Sequence, residues 1–332
     1  MSGTMMENKP LSPSSAEPES GPGGVTPKPS PEHSFAELPI EAPRESSLRR
    51  IFRGPEGISA LPRWLLYLAM AWVVFEAEAW LAASLQDQLN YFRWRMLIEA
   101  RLAIAAILPA FAMARIEGRP FGEFGLPWRR AFGRNFWMGA LWGIGSLSVL
   151  MLALGVCGAY RFGALSLHGP RLWKFAAYYA VLFLLTGFFE DFLMRGYSQW
   201  VLARSVNFWP AAVLLSTAFG FIHGANPGEA KAGLVAAGLI GFFFCLTLRR
   251  TGDLWWAVGF HMAWDWGESY FYSVPDSGVL LPGHLLNSYF YGPVWLTGGS
   301  VGPEGSYLIF VLIGGLWVAF DRTYREVKYK ED

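Results

Sequence analysis

Residues 187–199 read GFFEDFLMRGYSQ and follow directly on the apolar run FAAYYAVLFLLT at residues 175–186. Such a run is typical of a helix inside a lipid bilayer. Glu190, Asp191 and Arg195 stand at its end, although an ionisable side chain in that position costs several kcal/mol unless it faces a partner or water. These three charges therefore indicate a polar site inside a bundle of membrane helices.

The rest of the chain has the composition of a membrane protein. Of its 332 residues, 53% are hydrophobic, 17% are aromatic and only 16% are charged, which is more apolar than an ordinary soluble domain. The apolar residues are gathered into runs near the length of roughly 20 residues that a membrane helix needs. We therefore predict an all-α fold, a polytopic bundle of about eight transmembrane helices. The predicted spans are residues 64–84, 94–114, 136–157, 175–194, 207–223, 232–248, 254–272 and 306–321.

The N-terminal segment, residues 1–47, differs from the rest because it is rich in Pro, Ser, Gly and Glu. It has too little apolar surface to offset the entropy lost on ordering. We predict a disordered cytoplasmic tail here, followed by the membrane bundle at residues 48–332.

Charge distribution predicts how the bundle sits in its membrane. Lys and Arg are more frequent in the loops that lie on the same side as the N-terminal tail. Because cytoplasmic loops carry this excess, both termini are predicted to be cytoplasmic, in the plasma membrane of a bacterium. The net charge of +1 gives no support for nucleic-acid binding.

The three charges of the opening stretch divide into a pair and a single acid. Asp191 and Arg195 stand four residues apart on one helix face, with the acid first, which favours an ion pair. Glu190 is about 100° away around the helix, without a local cation. A desolvated carboxylate without a counterion is the better proton acceptor.

In two later spans a histidine belongs to a pair of residues with the same four-residue spacing. Phe219 precedes His223 in one span, and His261 precedes Asp265 in another. Each pair, taken alone, also fits a purely structural role, such as a contact between two helices. Their occurrence together on successive helices, with one acid left unpaired, favours a shared site.

In this order, the acid pair with its arginine, the FxxxH motif and the HxxxD motif resemble the three-motif signature of the CPBP (Abi) family of intramembrane endopeptidases. That family includes the CAAX prenyl endopeptidases, and the resemblance covers residues 120–272. It implies hydrolysis of a peptide bond of a membrane-associated substrate within the bilayer, and a prenylated CAAX-type substrate is one of the alternatives. The chain departs from the family pattern at Asp191, where glutamate is usual, and at Asp265, where asparagine is common.

The resemblance also implies a role for each motif residue. Glu190 would activate water as general base with His223 as its partner, while His261 would stabilise the oxyanion and Asp265 would orient His261. The supporting residues are Asp191, Arg195 and Phe219.

A metal requirement is left open by these residues. His223, His261 and Asp265 are a plausible ligand set for zinc or another divalent metal. The motifs are not the compact HExxH arrangement of zinc proteases, so we favour a mechanism that requires no cofactor. Glu190 acts as the base in either case.

Two other functions fit the same groups. A catalytically silent scaffold or immunity protein would bind a peptide in the same cavity, and a transporter would use the buried acid and histidines to move protons or solutes. The transporter is disfavoured because the sequence shows no internal repeat. The sequence leaves the oligomeric state open.

One geometric condition follows from the catalytic assignment. If the fourth span ended near residue 194, Glu190 and His223 would lie towards opposite faces of the bilayer. We therefore predict that this helix continues through YSQWVLAR to Arg204.

Overall fold

The computed structural model describes residues 53–54, 57–226 and 230–329. The predicted tail, residues 1–47, lies outside this part of the chain. The described residues are almost entirely helical, with two short antiparallel strand pairs, β1 (Arg53–Gly54) with β2 (Gly57–Ile58) and β3 (Tyr160–Arg161) with β4 (Tyr289–Phe290). The α-helices, numbered in chain order, are α1 Ala60–Ala83, α2 Tyr91–Glu117, α3 Arg134–Val156, α4 Pro170–Arg195, α5 Tyr197–Val206, α6 Phe208–Ile222, α7 Lys231–Thr251, α8 Trp255–Trp266, α9 Val294–Thr297 and α10 Leu308–Thr323.

Six helical segments within the described residues are long and apolar enough to cross a membrane, so the chain is an integral membrane protein. They are α1, α2, α3, the combined α4 and α5, α6 with the turn that follows it, and α7. The prediction of eight transmembrane helices is not confirmed. Helices α8 and α10 occupy the last two predicted spans, but with 12 and 16 residues they are about 18 and 24 Å long, which is shorter than the hydrocarbon core.

Helix α1 carries a face suited to lipid. Its side chains Trp72, Val73, Trp80 and Leu81 are each more than half exposed. Its inner face contacts α2, where the hydroxyl of the fully buried Tyr67 donates a hydrogen bond to the carbonyl oxygen of Ala106 at 3.0 Å. Large exposed apolar side chains of this kind are expected where the surrounding solvent is a bilayer.

The predicted extension of the fourth helix is helical, but it is interrupted. Helix α4 ends at Arg195 and α5 begins at Tyr197, with Gly196 between them at φ −82° and ψ −115°. A Cβ at position 196 would lie 2.4 Å from the carbonyl oxygen of Phe192, so only glycine fits this bend. Glu190 therefore stands near the end of α4 and close to the middle of the combined 37-residue segment.

Glycines allow α3 and α8 to pack backbone against backbone. A Cβ on Gly139 would lie 1.9 Å from the carbonyl oxygen of Trp256, and one on Gly143 would lie 2.3 Å from that of Phe260. Gly259 on α8 makes the reciprocal approach, 2.1 Å from the carbonyl oxygen of Phe136. These close approaches hold α8 against α3 in the bundle.

A buried carboxylate fixes the start of α8. Asp253 accepts hydrogen bonds from the Asn135 side chain at 3.0 Å, from Arg130 Nη1 at 3.2 Å and from the backbone N–H of Trp255 at 3.2 Å. Burial raises the pKa of Asp253, and these donors oppose that rise. The helix that carries His261 is therefore anchored at its first turn to the segment that leads into α3.

Candidate active site

A cavity of about 240 Å³ lies among the helices and collects the predicted site residues. Its lining includes the predicted Glu190, Phe219, His223, His261 and Asp265. The supporting residues Asp191 and Arg195 are fully buried behind them. All seven residues singled out in the sequence are thus brought to one place.

His261 lies between three carboxylates. Its Nδ1 is 3.3 Å from Asp191 Oδ2, while its Nε2 is 3.6 Å from Glu190 Oε2 and 3.4 Å from Asp265 Oδ2. Because carboxylate oxygens accept and do not donate, this arrangement favours an imidazolium that carries a proton on each nitrogen. The side chain is 13% exposed, so its positive charge faces the cavity.

Arg195 is the second cation of the site. Its guanidinium pairs with Asp191 Oδ1 at 3.2 Å, and neither side chain is exposed to solvent. The guanidinium also lies 4.2 Å from the centre of the Phe219 ring, a cation–π contact. A Cβ on Gly241 would lie 2.0 Å from Arg195 Nη2, so the glycine on α7 makes the room that this side chain occupies.

We call Glu190, Asp191, Arg195, His261 and Asp265 the histidine cluster. Asp191 joins its two cations, with one carboxylate oxygen on Arg195 and the other on His261. The sequence predicted the Asp191–Arg195 pair and the His261–Asp265 pair separately. The contact between Asp191 and His261 was missed, because the ion pair on its own helix already accounted for that acid.

His223 stands at the end of α6, where its Nδ1 is 2.9 Å from the carbonyl oxygen of Phe219. When Nδ1 donates to that oxygen, Nε2 is the nitrogen with the free lone pair. Glu190 and His223 line the same cavity, as the catalytic assignment requires, and they form no direct hydrogen bond or ion pair with each other.

A further acid borders the cavity from α2. Glu99 is paired with Arg95 at 3.0 Å and accepts a hydrogen bond from the Thr186 hydroxyl at 3.1 Å. Both residues of the ion pair line the cavity. The i, i+4 spacing of Arg95 and Glu99 in the second predicted span was the signal that could have found them.

The segment after α8 adds a second group of acids. Glu268, Asp276 and Glu304 each place a carboxylate oxygen within 4.8 Å of the others, and we call them the carboxylate cluster. Among the described residues, no other group of three or more Asp, Glu, His or Cys side chains brings its potential ligand atoms within 4.8 Å of one another. The predicted metal set of His223, His261 and Asp265 does not form such a group.

A comparison of the sequence with models of known protein families finds a match over the segment that contains the histidine cluster. Residues 172–267 match the family model described as Type II CAAX prenyl endopeptidase Rce1-like. The matched segment runs from the first turn of α4 to the end of α8 and contains the whole histidine cluster, together with Phe219 and His223. The resemblance inferred from the three motifs is therefore confirmed for this part of the chain. No curated protein and no solved structure gives a significant match.

Proposed function

We propose that this chain is a membrane-embedded endopeptidase that hydrolyses a peptide bond of a membrane-associated substrate with water activated by Glu190. The observation that carries the proposal is the convergence of the three motifs on one cavity, with His261 held among the carboxylates of Glu190, Asp191 and Asp265. The match to a family of prenyl endopeptidases supports the same reaction class.

In the first step, a water molecule lies between Glu190 and His223. Glu190 accepts a proton from it, and the water oxygen forms a bond to the carbonyl carbon of the scissile peptide. The π electron pair of the carbonyl moves onto its oxygen. His223, held by the Phe219 carbonyl, accepts the second hydrogen of the water in a hydrogen bond and fixes the direction of attack.

In the second step, the new oxyanion is stabilised by His261. Once Glu190 carries the proton from water, its carboxyl attracts the Nε2–H of the imidazolium less, and this N–H donates to the oxyanion while Asp191 holds the ring at Nδ1. As the tetrahedral intermediate collapses, the C–N bond breaks and Glu190 returns its proton to the amine that leaves. Asp265 and Asp191 orient the ring throughout and exchange no proton.

We favour a mechanism without a catalytic metal. A metal ligand must offer a nitrogen lone pair, whereas both nitrogens of His261 are directed at carboxylate oxygens. The alternative is a zinc ion held by His223, His261 and Asp265, which would supply the Lewis acid in place of the imidazolium.

Part of the cavity lining is apolar. Its lining side chains include Leu102, Phe183, Phe189, Ile240, Leu312 and Leu316. An apolar wall beside a polar centre suits a substrate with apolar side chains or an attached lipid. We propose a membrane-associated peptide or protein as substrate, either prenylated at a C-terminal cysteine or embedded in lipid, at the plasma membrane of a bacterium with both termini of this chain in the cytoplasm.

The test uses purified protein in liposomes and a panel of peptides with and without a C-terminal prenyl-cysteine. Wild type is compared with Glu190→Gln and with Glu76→Gln, which neutralises an exposed acid on α1 outside the cavity. Phenanthroline, which removes transition metals and leaves Ca²⁺ and Mg²⁺ in place, distinguishes the zinc alternative.

Cleavage by wild type and Glu76→Gln, but not by Glu190→Gln, is the expected result, unchanged by phenanthroline. Loss of cleavage with phenanthroline would replace the metal-free mechanism with the zinc one. Peptide that binds to wild type and to Glu190→Gln equally, and is cut by neither, would identify the silent scaffold instead.

A further inference from the structure

The carboxylate cluster is built from three separate pieces of chain. Glu268 belongs to a π-helical turn, Gly267–Tyr272, that continues directly from α8. Asp276 lies in the loop that follows, and Glu304 lies in the short 3₁₀ turn Pro303–Gly305. Asp276 and Glu304 line the cavity that also contains the histidine cluster, while Glu268 is buried behind them.

In two of the three carboxylates, only one of the two oxygens accepts hydrogen bonds from the protein. Asp276 Oδ2 accepts from the Ser269 hydroxyl at 3.2 Å. Glu304 Oε2 accepts from the backbone N–H and the hydroxyl of Ser277, at 3.1 and 2.7 Å. These bonds orient both side chains and leave one oxygen on each free to bind a ligand.

Glu268 has no partner at either carboxylate oxygen. Its exposed fraction is 0%, and neither oxygen accepts a hydrogen bond. Burial and then the nearby carboxylates of Glu304 and Asp276 raise the pKa of Glu268, while Trp264, which lies beside it, opposes that rise. The indole nitrogen of Trp264 is itself without a hydrogen-bond acceptor. A buried carboxylate without a partner is costly, so this side chain requires a ligand that the protein does not supply.

The ligand must carry positive charge. Among the described residues, no Lys, Arg or His forms an ion pair with Glu268, Asp276 or Glu304. Three carboxylates in close contact repel one another strongly where water is scarce. Hard divalent cations prefer this kind of oxygen-only ligand set.

The number of carboxylates selects among such cations. The three oxygens lie within 4.8 Å of one another, so one ion can contact all three. Ca²⁺ accepts several carboxylates in an irregular arrangement, whereas Mg²⁺ needs near-ideal octahedral geometry, keeps several waters and usually takes one or two carboxylates. Open coordination positions would face the cavity, where water is available.

We propose that Glu268, Asp276 and Glu304 bind a hard divalent cation, with Ca²⁺ preferred over Mg²⁺. This site is distinct from the zinc alternative at His223, His261 and Asp265. The bound ion ties the turn after α8 to the loop and to the 3₁₀ turn before α10, and thereby fixes one wall of the cavity. The proposal stands whether or not the chain cleaves peptides.

The first measurement is Tb³⁺ luminescence of the purified full-length chain in detergent, after removal of cations with EDTA. Tb³⁺ takes the same oxygen ligands as Ca²⁺ and is excited by energy transfer from tryptophan, and Trp264 lies beside Glu268. The variants are Glu268→Gln, Asp276→Asn and Glu304→Gln. The control is Glu99→Gln, which neutralises an acid of the same cavity outside the cluster.

We expect one saturable Tb³⁺ site in wild type and in Glu99→Gln, with Ca²⁺ displacing Tb³⁺ at a lower concentration than Mg²⁺. Each cluster variant should weaken Tb³⁺ binding at least tenfold. As a second measurement, added Ca²⁺ should raise the Tm of wild type and of Glu99→Gln, and leave the Tm of the cluster variants unchanged. If Glu268→Gln does not fold, Glu304→Gln decides the matter, because Glu304 is only half-buried.

Three results would overturn the proposal. Wild type without saturable binding would show that the cluster is neutralised by protons and not by a metal ion. Cluster variants that bind as tightly as wild type would place the ion elsewhere. Equal loss in Glu99→Gln and in the cluster variants would show diffuse binding to the acids of the cavity.

Discussion

The histidine cluster and the carboxylate cluster border one cavity, and each contains three carboxylates, but they are neutralised differently. In the histidine cluster, Arg195 and His261 face the acids at 3.2 to 3.6 Å. In the carboxylate cluster, within the described chain, hydroxyl and backbone N–H groups are the only hydrogen-bond donors. Carboxylates that are paired with cationic side chains are already neutralised by the protein itself. Carboxylates without such partners can instead bind a cation from solution.

The largest expected effect comes from removing Glu190, the proposed general base of the histidine cluster. Glu190→Gln should lower kcat for peptide hydrolysis by about 10²- to 10⁴-fold, the contribution of a positioned general base. Peptide binding and Tm should stay close to wild type, because Glu190 is 24% exposed and its ion pair with His261 is long. Full activity in this variant would remove Glu190 from the reaction.

The next largest effect is a difference in stability between the variants Asp191→Asn and Asp265→Asn. Asp191→Asn leaves the buried guanidinium of Arg195 without its counterion, which should lower the free energy of unfolding by about 3–5 kcal/mol. Asp265→Asn should cost less, since His261 keeps the carboxylates of Asp191 and Glu190. Tm measured in detergent for both variants checks the order, and equal losses would show that Asp191 is not the link between the two cations.

A smaller effect should follow from a methyl group placed against Arg195. In Gly241→Ala the new Cβ would lie 2.0 Å from Arg195 Nη2, so the guanidinium must move away from Asp191. Overpacking of this kind costs about 1–3 kcal/mol. Gly314→Ala on α10 is the matched control, because no atom lies within 4 Å of its Cβ, and it should keep or raise Tm. Comparable losses in both variants would remove the steric explanation.

The smallest effect should have the opposite sign. Glu268→Gln in buffer with EDTA removes one of three repelling charges and should raise Tm, whereas the equivalent change at Asp191 lowers it. We expect a gain of about 2 °C for each kcal/mol of repulsion removed. Tm in EDTA for wild type and the variant provides the check, and a lower Tm in Glu268→Gln would mean that the carboxylate cluster has an internal cation after all.

Much of the histidine cluster could be predicted because its residues break the apolar pattern of long helices. Glu190, His223 and His261 are conspicuous among leucines and phenylalanines, and the four-residue spacing assigns each a helix face. The second contact of Asp191 could not be read in this way. It depends on how α4 and α8 pack against each other, which the spacing of residues within either helix does not specify.

The carboxylate cluster was beyond the reach of the sequence for a different reason. Glu268 lies in the predicted span 254–272, but Asp276 and Glu304 come from turns without helical or strand periodicity, so no pattern relates the three positions. The prediction of eight transmembrane helices was not confirmed at residues 254–272, where the α-helix ends at Trp266 and a π-helical turn follows. The bend at Gly196 did have a signal, since glycine after a basic residue is a common end of a helix.

The backbone contact between α3 and α8 has a consequence for how the protein is made. Helix α3 is synthesised first and is long and apolar enough to enter the bilayer unaided. Helix α8, with 12 residues that include His261 and Asp265, is too short and too polar to do so. We infer that this short helix enters the bilayer against α3, at the close backbone contact that Gly139 and Gly143 permit.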